Sequence, residues 1–246
     1  MLFNIIEAVR QGDSALLKIF ITVALISIPI FLFALSVHET AHGVVAYKLG
    51  DPTAKMQGRL SLNPTKHFDI FGFIMLLVFG FGWAKPVPIN TRYFKNPKRD
   101  MAISALAGPL SNLLLALGFA GLFKLYSLSF TASTFGNEIF MSIPWRILGI
   151  FLYYGISLNI MFAIFNLLPI PPLDGSRILQ LFIPSKYYYQ VLKYERYIVL
   201  AVFALIFFGL LDGPIAFVTD KVMWLFAKFT SLFFGEYGDY LVDILS

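Results

Sequence analysis

The chain has 246 residues, of which 58% are hydrophobic and 13% are charged, with a formal net charge of +5 and a mean hydropathy of +0.76. Soluble domains carry about 25% charged residues, so this composition excludes a soluble globular protein, a disordered chain and a collagen-like fibre, and favours an integral membrane protein. The absence of cysteine excludes a disulfide framework and any Cys-ligated metal site. The positive charge is interpreted as a property of cytoplasmic loops and not as a sign of nucleic-acid binding.

Three long stretches without Asp, Glu, Lys or Arg predict membrane spans. Residues 19–38, 101–123 and 147–173 are uncharged over 20, 23 and 27 positions. A helix needs about 20 residues to cross the hydrocarbon core, so each stretch is long enough.

Three shorter apolar segments are less decisive. Residues 70–84 are uncharged but contain three glycines and lead into prolines, which favours a re-entrant segment over a spanning helix. Residues 197–211 can span if the flanking charges extend to the interface. Residues 222–235 are interrupted by Lys228 and are either an interfacial helix or a poor further span.

The loop charges predict an orientation. Thirteen of the 19 basic residues lie in 48–66, 85–99 and 177–196, whereas 125–137 has none. The positive-inside rule therefore places the first three segments in the cytoplasm and 125–137 outside. Because basic loops flank 70–84 on both sides, that segment is expected to enter the membrane and return.

The first span ends in His38-Glu39-Thr40-Ala41-His42. Residues four apart share one helix face at about 6 Å, so His38 and His42 can bind one metal ion while Glu39 reaches a water molecule beside it. This is the H-E-x-x-H arrangement of zinc proteases. Ionisable residues at membrane depth are costly, which favours a functional interpretation over a packing role.

A catalytic zinc site has three protein ligands and an open position, so one more ligand is expected. The third uncharged stretch ends in a proline-broken segment, Asn166 to Gly175, which presents Asp174 at the same membrane side as the two histidines. Asp174 is the favoured candidate. Asp69 is the rival carboxylate, and a plain helix-ending turn is the other interpretation of Asp174.

These motifs resemble the site-2 protease family of intramembrane zinc metalloproteases, in its short branch without a PDZ domain. The resemblance covers roughly residues 20–180. The residues that carry it are His38-Glu39-Thr40-Ala41-His42, Asn63-Pro64 with His67 and Asp69, Gly82-Trp83-Ala84-Lys85-Pro86-Val87-Pro88, Ala107-Gly108-Pro109 with Asn112, and Asn166 with Pro169 and Asp174-Gly175.

The resemblance implies a three-helix catalytic core, with a first helix that carries the histidines, a second near 101–124 and a third near 145–168. It implies one Zn²⁺ per chain at His38, His42 and Asp174, with Glu39 as the catalytic acid and base. The expected fold is an all-α polytopic membrane protein with a small β-strand and re-entrant element. Residues 1–246 form one protease domain, with a core at about 17–180 and C-terminal helices over 181–246.

The expected function is hydrolysis of peptide bonds within or near transmembrane segments of membrane-protein substrates, in a multi-pass protein of a bacterial-type cell membrane with its active site near the cytoplasmic side. The expected partners are such a substrate and the lipid bilayer, with no nucleic acid. Two alternatives stay open: a zinc-binding membrane carrier, which needs further metal sites, and a non-catalytic scaffold, which does not require Glu39.

Substrate contacts are expected at three positions. Residues 55–63 alternate polar and apolar side chains, which predicts a strand that includes Gly58 and Leu60 and can pair with an extended substrate. A surface hairpin is the alternative. Asn166 is a candidate substrate hydrogen-bond donor, with interhelical packing as its alternative. The small-residue face of Ala105, Gly108 and Asn112 is interpreted as helix packing.

Overall fold

The computed structural model describes residues 9–10, 12–79, 82–132, 143–184, 187 and 193–210, together with 213, 217–218, 220–222, 224–225 and 228. Within these residues the fold is helical, and no strand is present. The helices are α1 (Ser14–Lys48), α2 (Thr53–Met56), α3 (Ile70–Phe79), α4 (Pro97–Ala132), α5 (Ile143–Leu167), α6 (Asp174–Leu179) and α7 (Glu195–Phe207), with 3-10 turns at Pro64–Lys66 and Thr91–Tyr93.

Helices α1, α4 and α5 are long and apolar enough to cross a membrane. They correspond to the three uncharged stretches of the sequence, so these three predicted spans are confirmed as helices. Helix α4 packs against α1, α5 and α6. Large apolar side chains such as Leu25, Leu114 and Leu122 remain exposed on the outer surfaces. An outer surface of this kind suits contact with lipid rather than water.

Helix α1 carries His38, Glu39 and His42 in its C-terminal part. It begins after Asp13, whose carboxylate accepts hydrogen bonds from the amides of Ala15 and Leu16. It ends at Lys48, and Gly50 follows with a φ of +110°, which glycine tolerates better than other residues.

The chain turns back after the short helix α3. Helix α3 has 10 residues and is therefore about 15 Å long, half of what a span needs. The amide of Lys85 donates to the carbonyl of His67 at 2.9 Å, which joins the two ends of the excursion. The backbone of Trp83 lies so close to Gly72 that a side chain there would collide with it. The glycines of this segment thus permit two stretches of backbone to pack closely.

The strand expected over 55–63 is not found. Lys55 and Met56 belong to α2, and the following residues have no partner strand. The reason is that their amides form local bonds instead of a ladder. The amide of Arg59 donates to Ala54 and that of Ser61 donates to the carbonyl of Arg59.

The C-terminal region is described only in part. Helix α7 has 13 residues, or about 20 Å, which falls short of a full span within the described range. Most of 222–235 lies outside the described residues, so the choice between an interfacial helix and a further span stays open.

Candidate metal centre

His38 and His42 lie one turn apart on α1, and both are buried. Their rings are 4.5 Å apart between centroids and nearly perpendicular. This arrangement brings the two Nε2 atoms to 3.0 Å of each other. The helix alone produces this proximity, because residues four apart share one face.

Asp174 joins the two histidines from a distant part of the chain. It is the first residue of α6, and its Oδ2 lies 3.1 Å from Nε2 of His38 and 3.2 Å from Nε2 of His42. The next residue, Gly175, packs against the carbonyls of Leu167 and Leu168 at the end of α5, where a side chain would not fit. Gly175 therefore allows α6 to start close enough to place its first carboxylate between the histidines.

The chemistry of these three atoms fits a metal ion. Nδ1 of His38 faces the amide oxygen of Asn112 at 2.6 Å, and Nδ1 of His42 faces the carbonyl of Ser104 at 2.7 Å. Both partners are acceptors, so each Nδ1 carries the proton and each Nε2 offers a lone pair.

Oδ2 of Asp174 is buried and has no hydrogen-bond partner. Three hydrogen-bond acceptors thus converge on one point. One added proton could form a hydrogen bond between two of them, whereas a metal cation could accept a lone pair from all three. Among the described residues, this is the group of three side chains that could hold a metal ion.

Gly108 of α4 creates the space for both imidazole rings. A Cβ at this position would collide with the ring of His42 and would lie 2.6 Å from Cε1 of His38. Gly108, one of the three residues of the small-residue face interpreted as helix packing, therefore contacts the two imidazole rings.

Glu39 is half-buried, and its carboxylate is oriented by the segment that returns from α3. The amide of Val87 donates to Oε2 of Glu39 at 2.7 Å. Within the described residues, Oε1 has no hydrogen bond. Arg59, only 8% exposed, donates to the carbonyls of Lys85 and Pro86 at 2.7 and 3.2 Å and so fixes the residues immediately before Val87.

Leu60 lies against α1 at Gly43, the residue that follows His42. Its side chain is 2.5 Å from the point where a Cβ of Gly43 would stand, so Gly43 admits Leu60 to the helix surface. The following carbonyl, that of Ser61, accepts hydrogen bonds from Thr40 at 2.7 Å and from His67 at 2.8 Å. The bond from Thr40 attaches residues 60–61 to α1 between His38 and His42.

The remaining candidates are not part of the three-atom cluster. Asp69 accepts a hydrogen bond from the amide of Gly72 at 2.8 Å at the start of α3, so the rival carboxylate has a helix-capping role. Asn166 donates to the carbonyl of Phe162 in its own helix at 2.9 Å. Gly58 is exposed, has a φ of +64° and has nothing within 4 Å of a would-be Cβ, as expected for a turn.

Sequence reasoning did not assign a role at the centre to Ser104, Asn112 or Asn159. All three are fully buried polar residues on helices that contact α1. For the two asparagines, the available signal was an amide side chain in the middle of an apolar span, since such residues require a buried partner.

Comparison with known proteins places the chain in a family. The sequence profile described as Peptidase family M50 matches residues 26–210. A protein of Bacillus subtilis (strain 168), YwhC, which bears the name of a candidate zinc metalloprotease, is 45% identical over 166 residues, covering 68% of this chain and 73% of the relative. A similarly named protein of Methanocaldococcus jannaschii is 34% identical over 144 residues, covering 58% of this chain and 63% of the relative. Rip2 of Mycolicibacterium smegmatis, also so named, is 29% identical over 151 residues, covering 59% of this chain and 52% of the relative.

No solved structure matches the chain significantly. The family profile nevertheless covers well over half of the chain, and its range includes both histidines and the carboxylate that meets them. The chain therefore belongs to peptidase family M50, the site-2 protease family, and is a membrane protein of the zinc metalloprotease class.

Proposed function

We propose that this protein is an intramembrane zinc metalloprotease that hydrolyses peptide bonds within or near transmembrane segments of membrane proteins. The observation that carries the proposal is the convergence of Nε2 of His38, Nε2 of His42 and Oδ2 of Asp174 within 3.2 Å of one another. One zinc ion per chain would be held by these three residues. Three protein ligands with an open position are the pattern of catalytic zinc.

Zinc in this position supplies Lewis acidity, which activates water and polarises a peptide carbonyl. Glu39 provides the proton transfer. Its Oε2 is held by the amide of Val87, so Oε1 is the atom available to take a proton from the attacking water. The same oxygen then returns the proton to the leaving amine, as a general acid. The bond to Val87 keeps this carboxylate oriented throughout.

The substrate is proposed to bind in an extended form beside Leu60. The backbone amide and carbonyl of Leu60 make no hydrogen bond within the described residues, so both are available to an added strand. Gly58 adds no side chain at the turn that precedes Leu60. The amide oxygen and second N–H of Asn166 are proposed as further substrate contacts, since the bond to Phe162 uses one N–H only.

The proposed location is a bacterial-type cell membrane, with the active site near the cytoplasmic side. The support is the excess of basic residues in the loops next to the metal centre, at 48–66 and 85–99. Helix α3 is proposed to dip into the membrane and return, because it is too short to cross and the residues that flank it, His67 and Lys85, are joined by a backbone hydrogen bond.

The alternatives receive less support from the geometry. A zinc carrier requires successive metal sites along a path, and the described residues contain one group of three that could bind a metal. A non-catalytic scaffold does not require the carboxylate of Glu39 to be held by a backbone amide beside the centre.

The Glu39→Gln variant tests the proposed function. Glutamine keeps the size of the side chain but cannot take up the proton, so we expect cleavage to be lost while the zinc content is unchanged. The measurement compares new peptide N-termini in membrane proteomes of cells with wild-type and variant protein, alongside elemental analysis of the purified proteins. Glu195→Gln is the matched control, since Glu195 lies on α7 and pairs with Arg177 at 3.7 Å. Cleavage by Glu39→Gln at the wild-type rate would refute the proposed mechanism.

A further inference from the structure

A chain of buried amide side chains connects the metal centre to a helix that does not itself contribute a ligand. Asn159 lies on α5 and donates to the carbonyl of Gly155 at 2.7 Å. Its Oδ1 accepts from Nδ2 of Asn112 on α4 at 3.1 Å. The Oδ1 of Asn112 faces Nδ1 of His38 on α1 at 2.6 Å. Both asparagines are 0% exposed.

The carbonyl of Gly155, at the end of this series of hydrogen bonds, fixes the direction of each bond in it. The carbonyl of Gly155 can only accept, so the NH₂ group of Asn159 points toward it and the Oδ1 of Asn159 points toward Asn112. A second carbonyl, that of Ala34, lies 3.3 Å from Nδ2 of Asn112. The NH₂ group of Asn112 thus faces two acceptors, and its Oδ1 must face His38.

This orientation determines which nitrogen of His38 is free for a metal. With an acceptor opposite Nδ1, the proton of the neutral imidazole resides on Nδ1, and Nε2 presents its lone pair toward Nε2 of His42 and Oδ2 of Asp174. If the amide of Asn112 were rotated, its NH₂ group would face Nδ1 and favour the tautomer with a proton on Nε2, where it would oppose metal binding.

We propose that Asn159 is a positioning residue for the metal centre, which acts through Asn112 to hold His38 in the metal-binding tautomer. Asn159 does not touch the three converging atoms. Its contribution is to supply the acceptor that prevents Asn112 from rotating. Because the three residues lie on α5, α4 and α1, metal affinity depends on the packing of all three helices. This inference rests on the zinc site proposed above.

The test measures zinc affinity of the full-length purified protein by competition with a chelator, and the absorption spectrum of the Co²⁺-substituted protein. The variants are Asn112→Leu, Asn159→Leu and the double variant. Losing the direct partner of a metal-binding histidine typically costs about 10–100-fold in affinity, so Asn112→Leu should fall in that range. Asn159→Leu should weaken zinc binding by roughly tenfold or less and change the Co²⁺ spectrum. In the double variant, Asn159→Leu should add no further loss.

A further variant separates positioning from a general effect on folding. Ser36→Ala is the matched control, since Ser36 is fully buried on the helix of His38 but donates only to the carbonyl of Leu32 at 2.6 Å. It should leave affinity unchanged.

The proposal is overturned if Asn159→Leu binds zinc within about twofold of the wild type, or if it weakens binding by the same factor with and without Asn112. Asn159→Ala is judged by the same two criteria if the leucine variant does not fold. A wild-type protein that binds no zinc would overturn the proposed metal centre itself. A wild-type protein that binds zinc, with Asn159→Leu unaffected, would overturn only the positioning role.

Discussion

Replacing Gly108 by alanine should weaken zinc binding, although it adds a single methyl group to a helix. Gly108 lies on α4 opposite both imidazole rings of the centre. The new Cβ would lie 2.6 Å from Cε1 of His38 and would collide with the ring of His42. One ring, or the whole of α4, must therefore move.

The size of that movement follows from the contact distances. Ordinary van der Waals contact with a Cβ begins at 3.4 Å, so Cε1 of His38 must retreat by about 0.8 Å. Zinc–ligand distances tolerate only about 0.2 Å, and a displacement of about 1 Å at a catalytic site lowers the reaction rate by about 100-fold. Moving α4 away by the same amount would lengthen the bond between His42 and Ser104 from 2.7 Å to about 3.5 Å, the limit for a hydrogen bond. Either adjustment disturbs one of the three converging side chains, so we expect zinc affinity to fall by about 10–100-fold, the range typical when a metal-binding histidine loses its supporting contact.

The assay is chelator competition on purified Gly108→Ala, with thermal denaturation of the same sample. Gly118→Ala is the matched control, because Gly118 is on the same helix, is exposed and has nothing within 4 Å of a would-be Cβ. Alanine is the better helix former by about 1 kcal/mol, so the control should be neutral or slightly stabilising. Wild-type zinc affinity in Gly108→Ala would refute the assignment of Gly108 as the residue that makes room for the two rings.

Three other predictions concern the third ligand, the orientation in the membrane and a buried cation. Asp174→Asn should lose zinc, because it removes a charged oxygen that contacts both histidines, whereas Asp69→Asn should keep it; elemental analysis showing the reverse would refute the proposed ligand set. A cysteine in place of Ala132 should react with an impermeant thiol reagent in intact cells, and a cysteine in place of Arg92 should react only after permeabilisation. The opposite labelling pattern would refute the proposed orientation in the membrane. Arg59→Met should lower stability in thermal denaturation by about 1–3 kcal/mol, because two backbone carbonyls lose their donor. An unchanged denaturation curve would show that these bonds contribute nothing to stability.

The amino-acid sequence by itself was sufficient for the features that depend on local geometry. The three spans follow from uncharged stretches, because a lipid core excludes charge over the length of a helix. The proximity of His38 and His42 follows from their spacing of four within one helix, which the structure reproduces with Nε2 atoms 3.0 Å apart. The sequence also predicts that 70–84 enters the membrane and returns, and this stays a prediction; the structure has a 10-residue helix there and a close backbone contact between Gly72 and Trp83.

The strand predicted over 55–63 was wrong because the local pattern was an incomplete guide. The alternation over 55–63 was interpreted as a strand, but α2 includes Lys55 and Met56, and the residues that follow have no partner. An alternation of polar and apolar residues indicates which side chains would share one face of a strand. A strand also needs a neighbouring strand to hydrogen-bond with, and the alternation does not provide one.

Only the tertiary structure decided which distant residues meet. Asp174 and Asp69 were both possible partners of the histidines in the sequence, and the packing of Gly175 against the end of α5 brings Asp174 to the centre while Asp69 caps α3. The positions of Asn112 and Asn159 follow in the same way from the packing of three helices. The physical reason is that spacing along a chain fixes neighbours within one helix, whereas contacts between helices depend on which surfaces fit together, and a glycine or a buried amide acquires its role only when its neighbours are in place.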